Sequence, residues 1–407
     1  MAKTIAILAT LDTKGAEANF IREQLVALGS KALLVDLGVH GKPGVDPDVP
    51  IEVIAGCADT TVEALRRNDD QEEVGRIVAK GASLELQRRV EGGEVDGVIG
   101  LGGLRGTSMG TSVMQALPYG LPKVMVSTVA SGDTSSYVDI KDITMMFAVG
   151  DILGLNSFTR KILANAAGAA HGMAQIELSF DTGSREKPLI GMSNLGVLTQ
   201  GAMHAIELFE ERGYEVVVFH AVGSGGRAME ELMKQGVIGA VFDYAMGEIA
   251  DEVFEGLRGG GPERLTVAGT LGIPQVLCPG GCEHLGVLVS PPHTIPDRFR
   301  DHQSVFHNPV VFVPRLQPDE FVQVAKDIAR RLQSTQSKAV MMLPLDGTGR
   351  YAMPGGDLRD VEGDRAFFEA LRAELPDTIE VIARETHAED PEFVRECVDR
   401  LIGLIEA

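Results

Sequence analysis

Tryptophan is absent, and aromatic residues make up only 5% of the chain. Aliphatic and small side chains must therefore fill the core, and 48 glycines supply many tight turns, a balance typical of α/β proteins. Cysteine is scarce: Cys57, Cys278, Cys282 and Cys397 in 407 residues do not amount to a disulfide framework. Basic residues are outnumbered 37 to 58, giving a net charge of −21. This argues against nucleic acid as the main partner, because a phosphate backbone needs a basic footprint. No apolar run approaches the ~20 residues that span a membrane. The apolar start of the chain is cut by Asp12 and Lys14 without a cleavage-like site, so it does not read as a signal peptide. The expectation is a soluble, cytoplasmic protein with no membrane partner.

What the chain has is a glycine-rich centre, VDGVIGLGGLRGTSMGTSVMQALPYGLPKVMVSTVASGD, over residues 95–133. Residues 96–101 read as a buried strand. Gly100, Gly102, Gly103 and Gly106 form a loop whose backbone can approach a ligand closely. Thr107 and Ser108 are N-cap candidates for a helix over residues 109–117, and residues 123–128 read as a second strand. Loop amides and a helix N-terminus together suit a phosphate or carboxylate. The spacing G-x-G-G-x-x-G is one residue out of register with the dinucleotide fingerprint, and no lysine precedes Thr107 as a P-loop requires. An anion site is favoured over a packing turn, but its ligand is not fixed by the loop.

The chain opens as βαβ: a strand over residues 4–9, a helix to about 28, and a strand over 31–37. Asp12, Thr13 and Lys14 fall beyond the first strand's C-terminal end, where ligands bind in parallel sheets, although a capping box with a solvated lysine would explain them equally. Ser131, Gly132 and Asp133 end another strand. Asp133 suits a metal, a hydroxyl contact or a turn cap. The Ala- and Gly-rich helix over 156–173 offers a close-packing face for a second domain or partner subunit.

A polar stretch, residues 181–187, marks the expected boundary between lobes 1–182 and 183–407. Strand, glycine loop, helix and strand then recur, with Gly223, Ser224, Gly225, Gly226 and Arg227 as the second loop. Its amides favour an anion, and Arg227 suits a bidentate contact with carboxylate or phosphate. Asp243, Glu248 and Asp251 read as helix caps. CPGGCEH, residues 278–284, has C-x₃-C spacing with one histidine, which is not a zinc knuckle; a turn after a strand is the plainer account, and no metal site is assigned. His307 and Asn308 are better candidates for polar contacts to a ligand. The fold expected is two Rossmann-like α/β lobes, each a mainly parallel sheet with flanking helices, with a cleft between them.

The segments ATLDTKGAE, GLGGLRGT, ALPYGLPKVMVSTVASGD and FHAVGSGGRAMEEL resemble the uncharacterised bacterial family similar to the ATP-binding N-terminal region of the tomato mosaic virus resistance protein. The resemblance runs through HNP to MLPLDGTGRYAMPGG. It implies a homodimer that binds ATP in its N-terminal lobe, with the family's segments falling on residues 11–14, 100–107, 130–133 and 223–227. Leu104 and Arg105 stand where the family pattern has small residues, and Arg105 either adds a phosphate contact or obstructs the loop. The leading expectation is Mg-ATP, held by the loop amides and Thr107, with Lys14 neutralising charge and Asp133 linked to Mg²⁺. A small anionic substrate fixed by Arg227 and His307 would receive a phosphoryl or adenylyl group in the cleft. Two alternatives are a nucleotide sensor without turnover and an enzyme acting on a small carboxylate without any nucleotide.

Overall fold

The first strand, TIAILA, carries apolar side chains on both faces, the pattern of a strand covered on both sides. In the computed structural model, which describes residues 2–178, 186–290, 294–336 and 338–407, this strand is covered on both faces. Ile5 and Ile7 of β1 (Thr4–Ala9) join a core closed by the helices Leu11–Ala27 and Ser157–Ala174. Ala6 and Leu8 point the other way, into a core closed by the helices Ile51–Cys57, Gln71–Glu91 and Leu104–Gln115. Ala166, Ala167 and Ala170 of the small-residue helix Ser157–Ala174 pack on the first unit's own sheet.

The chain divides into two units, Met1–Phe180 and Asp181–Ala407. Most of the polar boundary stretch at 181–187, together with His293, lies outside the described residues. In the first unit β1 is joined by β2 (Lys31–Asp36), β3 (Gly97–Gly102), β4 (Lys123–Ser127) and β5 (Thr144–Phe147) in one parallel sheet of order β2-β1-β3-β4-β5. The winding direction reverses between β1 and β3. At such a switch point the loops leave in opposite directions and open a crevice beyond the strand ends.

The second unit repeats this winding. Its strands are β6 (Ile190–Asn194), β7 (Val216–His220), β8 (Ala240–Ala245), β9 (Gln275–Gly280), then β13 (Ala339–Pro344) and β14 (Ile379–Arg384), in the parallel order β14-β13-β9-β8-β6-β7. Along β13, Val340 and Met342 face the helices Thr199–Glu211 and Pro391–Glu406, while Met341 and Leu343 face Pro318–Leu332 and Val361–Glu374. Between β9 and β13 the chain adds a small antiparallel sheet of β10 (Val287–Leu288), β11 (Ser304–Asn308) and β12 (Val311–Pro314), in the order β10-β12-β11. Among the described residues no helix is long and apolar enough to cross a membrane.

Candidate functional site

The first unit carries a cavity of about 420 Å³ at its β1/β3 switch point. After β1 come Thr10, Asp12, Thr13 and Lys14; after β2, residues 37–40; after β3, Gly102 to Gly106. Helix Leu104–Gln115 takes Gly103 as its N-cap, four residues before Thr107 and five before Ser108, so the glycine loop is itself the first helical turn. A glycine N-cap has no side chain to satisfy the first amides, and the amides of Leu104, Arg105 and Gly106 have no acceptor among the described residues. Thr107 donates its amide to the Gly103 carbonyl at 2.8 Å. Gly102 is required by packing, since a Cβ there would lie 2.7 Å from the Gly106 Cα; at Gly103 it would meet only Thr128 Oγ1, at 3.7 Å.

Four residues expected at the nucleotide, Thr107, Ser131, Gly132 and Asp133, stand outside the cavity lining. Thr107 is fully buried, and its hydroxyl pairs with Ser127 Oγ at 2.7 Å instead of facing the cavity. Ser131, Gly132 and Asp133 do not line the cavity. The Asp133 carboxylate accepts the Ser135 amide at 2.9 Å, a turn-capping bond that holds its pKa below the ordinary carboxylate value. The structure does bring together Asp12, Thr13, Lys14, Gly102, Gly103, Arg105 and Gly106. Asp12 Oδ2 accepts the Gly41 amide at 3.0 Å, Arg105 Nη1 donates to Gln71 Oε1 at 3.1 Å, and the Lys14 ammonium donates to the Ile152 carbonyl. Asp36 is spent internally, accepting the amides of Leu11 (3.0 Å) and Gly38 (2.8 Å).

In the second unit the glycine loop already holds an anion. Glu248, fully buried, accepts the Gly223 amide at 2.6 Å and the Gly226 amide at 3.1 Å. A Cβ on Gly226 would lie 2.1 Å from the Glu248 carboxylate and one on Gly225 1.9 Å from the His220 carbonyl, so these glycines make room for internal groups. Gly223, Ser224, Gly225, Gly226 and Arg227 therefore do not form the open substrate loop that the sequence suggested. Arg264, also fully buried, donates Nε to Glu248 Oε2 at 2.7 Å and Nη2 to Asp243 Oδ1 at 2.7 Å, with Glu230 beside it. Burial drives the Glu230 pKa up to about 7, and Arg264 offsets that only in part. The acids read as helix caps are partners of buried arginines.

A second cavity, of about 480 Å³, opens at the C-terminal strand edge of this unit. Leu195 to Val197 line it after β6, His220 and Val222 after β7, His284 and Gly286 after β9, and Arg350 and Tyr351 after β13. The small sheet contributes His307, Val311 and Val313, and Leu257 and Arg258 close the wall. His307 lies in the lining of this cavity. Asn308 is a turn former: its Oδ1 accepts the amides of Val310 (3.0 Å) and Val311 (2.9 Å).

His284, Arg258, Arg350 and Tyr351 were missed by sequence reasoning. His284 Nδ1 lies 2.9 Å from Oε1 of the fully buried Glu283, whose Oε2 accepts the Thr348 hydroxyl at 2.6 Å. Burial alone would raise the Glu283 carboxyl, but His284, Thr348 and Arg315 outweigh it and hold its pKa at about 2. With Nδ1 donating to that carboxylate, Nε2 is left to accept from Arg258 Nη1 at 3.3 Å. Arg258 is anchored from behind by Asp251, with Nε at 2.9 Å and Nη2 at 2.6 Å. Cys278 and Cys282 are buried with their thiols pushed up by burial, and among the described residues no three His, Cys, Asp or Glu side chains converge on a metal position.

Models described as the N-terminal and C-terminal domains of an uncharacterised protein family (UPF0261) match residues 3–179 and 187–405. The chain belongs to the UPF0261 family. It is 37% identical to a UPF0261 protein of Clostridium tetani (strain Massachusetts / E88), with 100% of each chain covered. It is also 31% identical to the ToMV resistance protein Tm-1(GCR237) of Solanum lycopersicum, over 98% of this chain and 55% of that one. The resemblance read from the motifs is therefore correct. Among solved structures, the glycosyltransferase SsfS6 of Streptomyces sp. SF2575 is 14% identical with a TM-score of 0.18, covering 69% of this chain and 82% of that chain.

Proposed function

We propose that the first unit of this UPF0261 chain binds a nucleotide, ATP carried with Mg²⁺, in the cavity at the β1/β3 switch point. The observation that carries the reading is the uncapped start of helix Leu104–Gln115: three successive amides without an acceptor among the described residues, belonging to residues that line a cavity. The corresponding turn after β7 is satisfied by Glu248, and the Leu11 amide after β1 by Asp36. A phosphate supplies what the third turn lacks.

The cavity residues fit the group. Arg105, in the first helical turn, can leave Gln71 for a phosphate, which adds to the amides rather than obstructing them. Asp12 replaces Asp133 as the carboxylate available to Mg²⁺, because it lines the cavity and Asp133 does not. Leu37, Val39, Val74, Val78 and Met109 give the apolar surface against which a base can stack. When bound, ATP would supply an activated phosphoryl group; these residues bind and orient it.

Calorimetric titration with ATP, with and without Mg²⁺, tests the reading. Wild type should bind. Gly103→Val, which adds bulk at a position where a Cβ meets only Thr128 Oγ1 at 3.7 Å, should abolish binding without unfolding the chain. Arg105→Ala should weaken it about tenfold, the loss of one charge-assisted contact. A wild type that does not bind ATP overturns the proposal.

A further inference from the structure

In a chain with 58 acidic residues, none of the described residues lining the second unit's cavity is a carboxylate. Two arginines, three histidines and a tyrosine face an otherwise aliphatic wall that includes Val197, Val222, Val311 and Val313. The acids behind this lining are committed: Glu283 to His284 and Thr348, Asp251 to Arg258. Such a cavity selects a small anion with an apolar body.

His284 and Arg258 add chemistry to that selection. A carboxylate on Nδ1 fixes the ring and its tautomer, and Nε2 serves as a base once the bond it accepts from Arg258 passes to a bound carbonyl oxygen, the orienter-and-base arrangement of proton-transfer sites. Arg258 Nη1 lies 3.3 Å from Nε2. A base and a positive donor side by side match a carbonyl group and the C–H bond next to it. The Arg350 side chain, 46% exposed and 3.5 Å from Glu389 Oε1, is placed to take a carboxylate at the open side.

We propose that this cavity binds a small 2-oxo acid and that His284 takes a proton from its C3 carbon. The C3–H bond breaks as N–H forms on Nε2. The freed pair becomes the C2=C3 bond, and the carbonyl pair moves onto oxygen, where Arg258 balances the charge. Return of the proton, or of a solvent deuteron, to C3 closes the cycle without any co-reactant. Glu283 is a positioning residue. The proposal stands apart from the nucleotide reading, since every group it uses lies in the other unit.

The test is deuterium exchange at C3 of 2-oxobutyrate in D₂O, followed by proton NMR with the full chain and no nucleotide. Wild type should exceed buffer by about 100-fold, within the range of positioned general bases, and should leave butyrate unchanged. His284→Gln should lose the exchange while melting as a folded protein. Arg350→Ala should raise KM about tenfold at unchanged kcat, and Glu283→Gln should lower kcat at unchanged KM. Exchange at the buffer rate in wild type, or undiminished in folded His284→Gln, overturns the proposal. If His284→Gln does not fold, an unchanged KM in Arg350→Ala overturns it instead.

Discussion

His284 and Glu283 are consecutive in the chain, yet their side chains meet, Nδ1 to Oε1 at 2.9 Å. The pair sits just after β9, where the chain leaves the sheet and consecutive side chains are no longer driven to opposite faces. Thr348, from beyond β13, takes the other carboxylate oxygen and completes the burial of the charge.

Glu283 makes the fold acid-sensitive. Its carboxyl titrates at about 2 in the folded chain and near 4.5 when unfolded. Its contribution is therefore fully present above pH 4.5 and lost as pH falls toward 2, on the order of 3 kcal/mol by linkage. Glu283→Gln should be less stable than wild type in urea at pH 7, and the gap should close toward pH 2.

Glu230 works in the opposite direction. Its folded value of about 7 lies above its ordinary 4.5, so the folded chain holds a proton that the unfolded chain releases. Its proton favours folding below pH 4.5, an advantage lost as pH rises through 7, again on the order of 3 kcal/mol. Asp364, raised by burial to about 6, adds to the same slope. Urea midpoints measured from pH 4.5 to 8 should fall less steeply for Glu230→Gln than for wild type.

Removing Glu248 should expose the anion site that it fills. Glu248→Ala leaves the Gly223 and Gly226 amides and part of Arg264 unmatched, a loss of about 3–5 kcal/mol. Acetate should then raise the melting temperature of the variant in a dose-dependent way and leave wild type unchanged. A variant indifferent to acetate would show that the loop does not hold anions.

Two neighbouring glycines should respond differently to alanine. Gly102→Ala forces a Cβ against the Gly106 backbone at 2.7 Å and should cost about 1–3 kcal/mol. Gly103→Ala meets nothing closer than 3.7 Å and should change stability by less than about 0.5 kcal/mol. Paired urea titrations separate the two.

Much of the architecture was legible in the sequence. Continuous apolar strands such as TIAILA, separated by helices, announce parallel sheets, and the two glycine turns announce the repeated winding. The helix start at Gly103 was misplaced because Thr107 and Ser108 are better caps by residue type; the loop stays uncapped, and Thr107 turns inward to Ser127. At Gly223–Arg227 the glycine pattern was read correctly as anion-friendly, but nothing local reveals that the anion is Glu248, 22 residues beyond Gly226. The short β10–β12 sheet and the partnership of Arg258 with His284, 26 residues apart, depend on tertiary placement that no window of sequence contains.

The small antiparallel sheet lines the second cavity without supplying a side chain that fixes His284. His307, Val311 and Val313 form part of the wall, whereas the partners fixing His284 come from Glu283, Arg258, Asp251 and Thr348. None of those supports belongs to the hairpin of β11 and β12. Substitutions at Val311 and Val313 would therefore reshape the wall without removing a side-chain partner of His284.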